Sequence, residues 1–331
     1  MIAISALTGQ KIPISTVSAP LDASDSVVLD VANEPQMVVE KGKLRLTRNV
    51  TYVTRTGPKG KPLDLKLDIQ TPLAPGKYPL IVYLTGGGFM VSPRQSVLPQ
   101  RAFVANHGFV VASIQYRTIR DGATYVDGIA DVKAAIRYLR ANAAAYQIDP
   151  AKVGVWGESA GGYLAAMTGV TNGDTDFDEA DASGVSSDVA AVVDKFGPSD
   201  LTQLAAGFDA ETVAMNVAPG NSTAKYVFGG STTKSVLDDA TAVGHADPVT
   251  HVTSSAPPFL FLHGTDDRII SPVETQIVHK ALLKKKVSST RYLLDKAGHG
   301  DLSVKGGEVA MWTTTRIMDL IVDFFTKQLK G

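Results

Sequence analysis

The sequence predicts an α/β protein: a mostly parallel central sheet with helices on both faces and inserted segments over one end. Three observations predict it. Short, unbroken apolar runs recur from Tyr78 onward at 79–84, 109–114, 152–156, 190–196, 259–262 and 291–294. A strand covered on both faces cannot alternate polar and apolar residues, so it reads as such a run. Between two of these runs, Ile129, Val132, Ile136 and Leu139 recur at helical spacing, on one face of a helix ending near Ala145. Finally, two stretches break the alternation: an acidic, Gly/Ser-rich one at 171–187 and a mixed one at 201–247. In open parallel sheets the ligand crevice lies outside the carboxyl ends of the strands, so both are expected to be lid-like insertions shaping a pocket.

In chain order, residues 1–45 are polar and Ser/Pro-punctuated and read as an N-terminal arm of uncertain structure, with no function legible in them. Two extended segments follow at 44–53 and 63–69, joined by the turn-forming Gly57-Pro58-Lys59-Gly60, and are expected to open the sheet as an antiparallel pair. The alternating strands and helices then run to the end, with further helices expected at 273–286 and 312–330, so that 46–331 reads as one domain carrying the two insertions.

Composition narrows the function. With 331 residues and 44% hydrophobic content, the chain can bury a large core. Its 32 basic and 33 acidic residues leave a formal charge of −1, so no global field attracts nucleic acid or an anionic membrane. No apolar run approaches the roughly 20 residues that cross a bilayer, so no transmembrane segment is expected. Cysteine is absent, which excludes disulfides, thiolate metal sites and cysteine nucleophiles. That absence suits an exported protein; Met1–Leu7 lacks the basic start of a signal peptide, so the reading is either secretion with the signal already removed or, with Met1 as the native start, a cytoplasmic protein.

The chemistry centres on Gly157-Glu158-Ser159-Ala160-Gly161. The pattern G-x-S-x-G is common by chance, but here it follows the apolar Val153-Gly154-Val155-Trp156 and leads into a helix-like run, the strand-to-helix turn that exposes a nucleophilic serine. A serine hydroxyl needs a base to take its proton and an acid to orient that base. Past the 259–262 run stands His263-Gly264-Thr265-Asp266-Asp267, and past the 291–294 run stands Gly298-His299-Gly300. Ser159, an aspartate of the first loop and His299 thus follow the order Ser, Asp, His, each just beyond a strand. Local chemistry leaves Asp266 and Asp267 both open as the acid. His263 follows its strand too closely to swing freely and reads as a structural hydrogen-bonding residue, as Glu158 reads as a structural charge. Thr85-Gly86-Gly87-Gly88-Phe89 follows the 79–84 strand, where backbone N–H groups of Gly87 and Gly88, with that of Ala160, can bind an oxyanion. A phosphate loop is excluded by the lack of GxGxxG spacing or a following Lys-Ser/Thr.

Together, Thr85–Phe89, Gly157–Gly162 and His263–Asp267 resemble the hormone-sensitive-lipase-like and acetyl/feruloyl-esterase-like branch of the α/β-hydrolase fold, over roughly 49–329. Phe196-Gly197-Pro198-Ser199-Asp200-Leu201 and Asp247-Pro248-Val249-Thr250-His251-Val252 are similar to segments of bacterial carbohydrate-associated esterases of this branch. The resemblance implies Ser159, Asp267 and His299 as catalytic residues, because the acid is the fifth position of an HGxxD pattern. It implies Gly87, Gly88 and Ala160 as oxyanion donors. The expected activity is carboxylic-ester hydrolysis through an acyl-enzyme, on short-chain or aromatic (acetyl, feruloyl, galloyl-type) esters, small or carbohydrate-linked, with no cofactor and no metal. An amidase or peptidase on the same scaffold, and a catalytically silent binding protein, are the alternatives. Phe89 is expected as a pocket wall, with Phe208 and Met215 contributed by the lid. Residues 174–181 are acidic but fit no EF-hand spacing and read as solvated surface. One departure stands out: the branch usually carries His before the three glycines, to brace the loop, and this chain has Thr85.

Overall fold

The computed structural model describes residues 12–179, 184–300 and 308–331. The strands β1 (Val27–Leu29), β2 (Leu44–Thr56), β3 (Pro62–Pro72), β4 (Tyr78–Leu84), β5 (Val110–Ile114), β6 (Ile148–Glu158), β7 (Ala191–Lys195), β8 (Phe259–Gly264) and β9 (Ser289–Leu294) form one sheet in the order β1-β9-β8-β7-β6-β4-β5-β3-β2. Pairing is antiparallel where β3 meets β2 and β5 and parallel elsewhere. The expected fold class is borne out, and the 44–53 and 63–69 segments pair as read, each extended by a few residues.

The described α-helices are α1 (Leu98–Asn106), α2 (Tyr125–Ala141), α3 (Ala160–Val170), α4 (Ala210–Asn216), α5 (Ser222–Phe228), α6 (Ala240–Ala246), α7 (Val273–Lys284), α8 (Glu308–Met311) and α9 (Thr315–Leu329). The pleat of the central strands divides the core into two layers. On β4, Leu80, Val82 and Leu84 face one side and pack with Ile129, Val132, Ile136 and Leu139 of α2, Leu164 and Met167 of α3, and Leu282 of α7. Ile81 and Tyr83 face the other side, with Phe103 and Val104 of α1 and Ile317, Ile321 and Phe325 of α9. Each such side chain, fully buried, stabilises the fold by about 1.5–3 kcal/mol relative to exposure.

Several boundaries differ from expectation for local reasons. The α2 stripe stops at Ala141 and a separate 3-10 turn, Ala143–Tyr146, follows. The last helix begins at Thr315, not at Trp312, because the Thr314 hydroxyl accepts the N–H of Ile317 as an N-cap. Helix α1 was not read from the sequence at all. Of the arm, β1 pairs in parallel with β9 at the sheet edge. The reading of Met1–Leu7 lies outside the described residues.

Candidate active site

Every sequence-predicted site residue stands at the carboxyl end of a strand. The glycine loop follows β4, Ser159 follows β6, the Asp267 loop follows β8 and His299 lies beyond β9. A parallel sheet puts those ends on one edge, so residues far apart in sequence share one crevice.

Ser159 sits between β6 and α3 with φ 54° and ψ −124°, a backbone conformation strained for a residue with a side chain. It is held there by its own N–H, which donates to Lys195 O at 2.9 Å, and by its carbonyl, which accepts Tyr163 N–H at 3.0 Å. The flanking glycines are required by close approach. A Cβ on Gly157 would lie 1.9 Å from Gly161 O, and one on Gly161 would lie 2.1 Å from Leu84 O.

Ser159 Oγ is 2.9 Å from His299 Nε2, and His299 Nδ1 is 2.6 Å from Asp267 Oδ2. The carboxylate only accepts, so Nδ1 carries the proton and Nε2 faces the serine as an acceptor. Asp267 is fully buried, and its Oδ1 accepts the N–H groups of Ile269 at 2.9 Å and Ile270 at 3.0 Å. Burial pushes this carboxyl up, but the attraction of His299 and the hydrogen bonds from His263 and His299 outweigh it and hold it below the usual carboxylate range. The adjacent Asp266 turns away, to Arg268 Nε at 3.1 Å and to the Ser18 hydroxyl. Of the two aspartates left open by local chemistry, the structure therefore brings Asp267, and not Asp266, to His299. The His299 ring is also packed by Phe196, centroid to centroid at 4.5 Å.

Beside the elbow, a Cβ on Gly86 would lie 3.1 Å from Ser159 Cβ, so the glycine loop lies directly against the nucleophile. Gly87 has no room for a side chain, since its Cβ would meet Val91 O at 1.9 Å. Ala160 is the first residue of α3, and its N–H has no carbonyl partner within the helix. The Thr85 hydroxyl is buried and has no hydrogen-bond partner among the described residues. Its carbonyl instead accepts the Tyr116 hydroxyl at 2.6 Å, and Phe89 O accepts Ile119 N–H at 3.0 Å. The loop is thus braced by the chain just after β5, a role that sequence reasoning missed. An aromatic residue with a polar tip right after a strand was the available signal.

The hydroxyl and imidazole open onto a cavity of about 90 Å³. Its walls include Phe89, as expected, together with Leu204, Asn216, Ser222 and Thr223 from 201–247, Ile269 and Ile270 beside the acid, and Ile12 and Pro13 from the arm. Phe208 and Met215 are not among the lining residues; Phe208 packs on Ala19 and Ala205, and Met215 is 38% exposed. No described residue of 171–187 lines the cavity either. That segment leaves the far end of α3 and runs beside α2, with Asp178 on Arg137 and Glu179 on Arg55 and Arg117. The 174–181 stretch lies partly outside the described residues. Glu158 pairs with Lys195 at 2.6 Å.

A serine, an aspartate and a histidine in that chain order, at the carboxyl ends of a mostly parallel sheet with helices on both faces, define an α/β hydrolase. Residues 67–282 match the BD-FAE family model, and the chain belongs to that family. It is 27% identical over 242 residues to "Esterase LipQ" of Mycobacterium tuberculosis, covering 71% of this chain and 53% of that protein. It is 31% identical over 207 residues to "Probable carboxylic ester hydrolase LipM" of the same organism, covering 60% and 43%. The chain thus spans about half the length of the curated relatives it matches. Among solved structures it is similar to a "Truncated form of carbohydrate esterase from gut microbiota", with a TM-score of 0.73, 25% identity, and coverage of 90% of this chain and 100% of that one. The resemblance to the esterase branch read from the motifs is borne out by these matches.

Proposed function

We propose that the protein is a serine carboxylic-ester hydrolase working through an acyl-enzyme. The observation that carries this reading is the unbroken chain Ser159 Oγ to His299 Nε2 to Asp267, at 2.9 and 2.6 Å, opening on the cavity. In the proposed mechanism His299 Nε2 takes the hydroxyl proton as Ser159 Oγ attacks the ester carbonyl, while Asp267 stabilises the imidazolium through Nδ1. The N–H groups of Gly87, Gly88 and Ala160 receive the oxyanion, each donor typically worth about 3 kcal/mol. The tetrahedral intermediate collapses as His299 returns the proton to the leaving alcohol. A water activated by the same nitrogen then releases the acid and restores Ser159.

Cavity size favours the short-chain end of the expected substrates. A volume of about 90 Å³ accommodates about six to nine water-sized groups, at roughly 10–15 Å³ each. An acetyl or propionyl group fits that space, and a whole feruloyl group, ring included, exceeds it. The polar wall of Asn216, Ser222 and Thr223 and the similarity to a carbohydrate esterase support a hydroxyl-rich alcohol part.

The test is a panel of p-nitrophenyl acetate, butyrate and octanoate with methyl ferulate, read as kcat/KM. The acetate is expected to lead. Ser159→Ala is expected to lower kcat by at least ~10³-fold. Wild-type turnover in the alanine variant would refute the assignment, and matched hydrolysis of the corresponding anilides would move it to amides.

A further inference from the structure

Behind Asp267 lies a second line of buried polar groups that the mechanism above does not use. Arg291, on β9, is 1% exposed and, as a guanidinium, can only donate. Its Nη2 donates to Pro272 O at 2.6 Å, its Nη1 to Ser26 Oγ at 2.9 Å and its Nε to Thr275 Oγ1 at 3.1 Å. The Thr275 hydroxyl, having accepted from Arg291, donates onward. Its nearer acceptor is His263 Nδ1 at 2.9 Å, against 3.5 Å for Pro272 O. Nδ1 is therefore the bare nitrogen and Nε2 carries the proton. The other face of the ring requires the same tautomer, because Nε2 lies 3.1 Å from Ile270 O and 3.2 Å from Asp267 Oδ2, both acceptors.

We propose that Arg291, Thr275 and His263 form a hydrogen-bond relay of fixed polarity, and that His263 is the positioning residue through which it orients Asp267 and sets the basicity of His299. The assignment of His299 as the base rests on the function proposed above; the relay itself rests on the distances. Asp267 Oδ1 takes two backbone N–H groups, while Oδ2 is shared between His299 Nδ1 and His263 Nε2. Three hydrogen bonds and the 3.2 Å contact from His263 Nε2, whose N–H also faces Ile270 O at 3.1 Å, surround the carboxylate and fix its plane. Sharing Oδ2 also limits how strongly it stabilises the imidazolium. Without the His263 donor the carboxylate becomes a stronger acceptor for His299 alone, so the pKa of His299 rises. Among the described residues, the charged groups around this cluster are Arg291 behind Thr275, Asp266 with Arg268 on the acid loop, and Lys195, held by Glu158 and lying over the Phe196 ring that packs on His299.

The relay is tested by titrating the His299 ring by NMR, assigned with His299→Gln, in the wild type and in His263→Phe, His263→Gln and Thr275→Val. Circular dichroism verifies folding. One hydrogen bond to the carboxylate corresponds to about half to one pKa unit on its partner. His263→Phe is expected to raise the His299 pKa by about that amount, and the acid limb of kcat/KM for p-nitrophenyl acetate with it. His263→Gln, whose amide N–H reaches the same oxygen, returns both toward the wild-type values. Thr275→Val shifts them the same way by less, and decides the matter if the phenylalanine variant does not fold. A folded variant with an unshifted or lowered His299 pKa, or no rescue by glutamine, overturns the proposal. A wild type that hydrolyses no ester sinks the proposed function and leaves the ring titration to judge the relay.

Discussion

Gly161→Ala inserts one methyl group into the seam between the nucleophile elbow and the oxyanion loop. The new Cβ would lie 2.1 Å from Leu84 O, 2.6 Å from Leu84 C and 2.7 Å from Thr85 O. All three are backbone atoms at the end of β4, so no flexible side chain can yield. Relieving the shortest contact to even 3.0 Å opens the seam by about 0.9 Å. One side of that seam carries Gly86 to Gly88, and the other carries Ser159 and the Ala160 N–H. A misplacement of about 1 Å can cost about 10²-fold in rate, equivalent to about 2.7 kcal/mol of barrier. The cavity walls from the arm and from α4 and α5 are not part of the seam, so KM is expected to move much less than kcat. The assay is steady-state hydrolysis of p-nitrophenyl acetate, normalised by fluorophosphonate titration of Ser159 and checked for folding by thermal melting. A folded alanine variant with kcat within about threefold of wild type would show that the seam does not set the catalytic geometry.

Tyr116→Phe removes the 2.6 Å hydrogen bond to Thr85 O and leaves a buried carbonyl unpaired; the expected cost is about 1–3 kcal/mol in urea unfolding, with a fall in kcat. Unchanged stability and turnover would mean that the loop is braced elsewhere. Glu274 is fully buried, and burial pushes its carboxyl up to about 8 against the pull of the Asp200 and Ser199 N–H groups. Its folded pKa exceeds the unfolded value, so between about 4.5 and 8 the folded protein holds a proton that the unfolded chain has released. Stability therefore falls as pH rises through that window, by up to about 1.4 kcal/mol per unit. Glu274→Gln, which cannot ionise, should flatten this slope; melting curves at pH 6 and pH 8 that fall in parallel for both proteins would contradict it.

What was legible in the sequence was whatever a strand or its end encodes locally. A strand buried on both faces must be apolar throughout, so β4 to β8 stood out as runs; and because parallel strands end on one edge, loops that look unrelated in sequence converge. The choice between Asp266 and Asp267 was not encoded in that way. Their side chains are separated by the direction of one turn, in which Asp267 Oδ1 captures the N–H groups of Ile269 and Ile270 while Asp266 meets Arg268 and Ser18. The pattern of a known family identified the acid where composition alone left both open. Thr85 shows the converse. The expected brace was a side chain at that position, but the structure supplies it from Tyr116, and nothing local to Thr85 encodes a partner arriving from the segment after β5.

The arm was the least legible part, because its contacts span most of the chain. Ser15 N–H donates to Arg268 O at 2.9 Å, Arg268 Nη1 to Thr16 O at 3.1 Å, and Thr16 N–H to Asp209 Oδ2 at 2.8 Å, at the N-cap of α4. These bonds attach the arm to the acid loop on one side and to the cavity-forming insertion on the other. Within that acid loop, Ile269 and Ile270 wall the cavity with their side chains and hold Asp267 with their backbone. Substrate fit and acid orientation therefore share one short segment, and the arm is fastened to it. Substitutions at Ser18, whose hydroxyl bonds Asp266, and at Ile269, whose N–H bonds Asp267, act on the same short loop, so in a double-mutant cycle their effects on kcat should not add, in contrast to pairs placed more than about 10 Å apart.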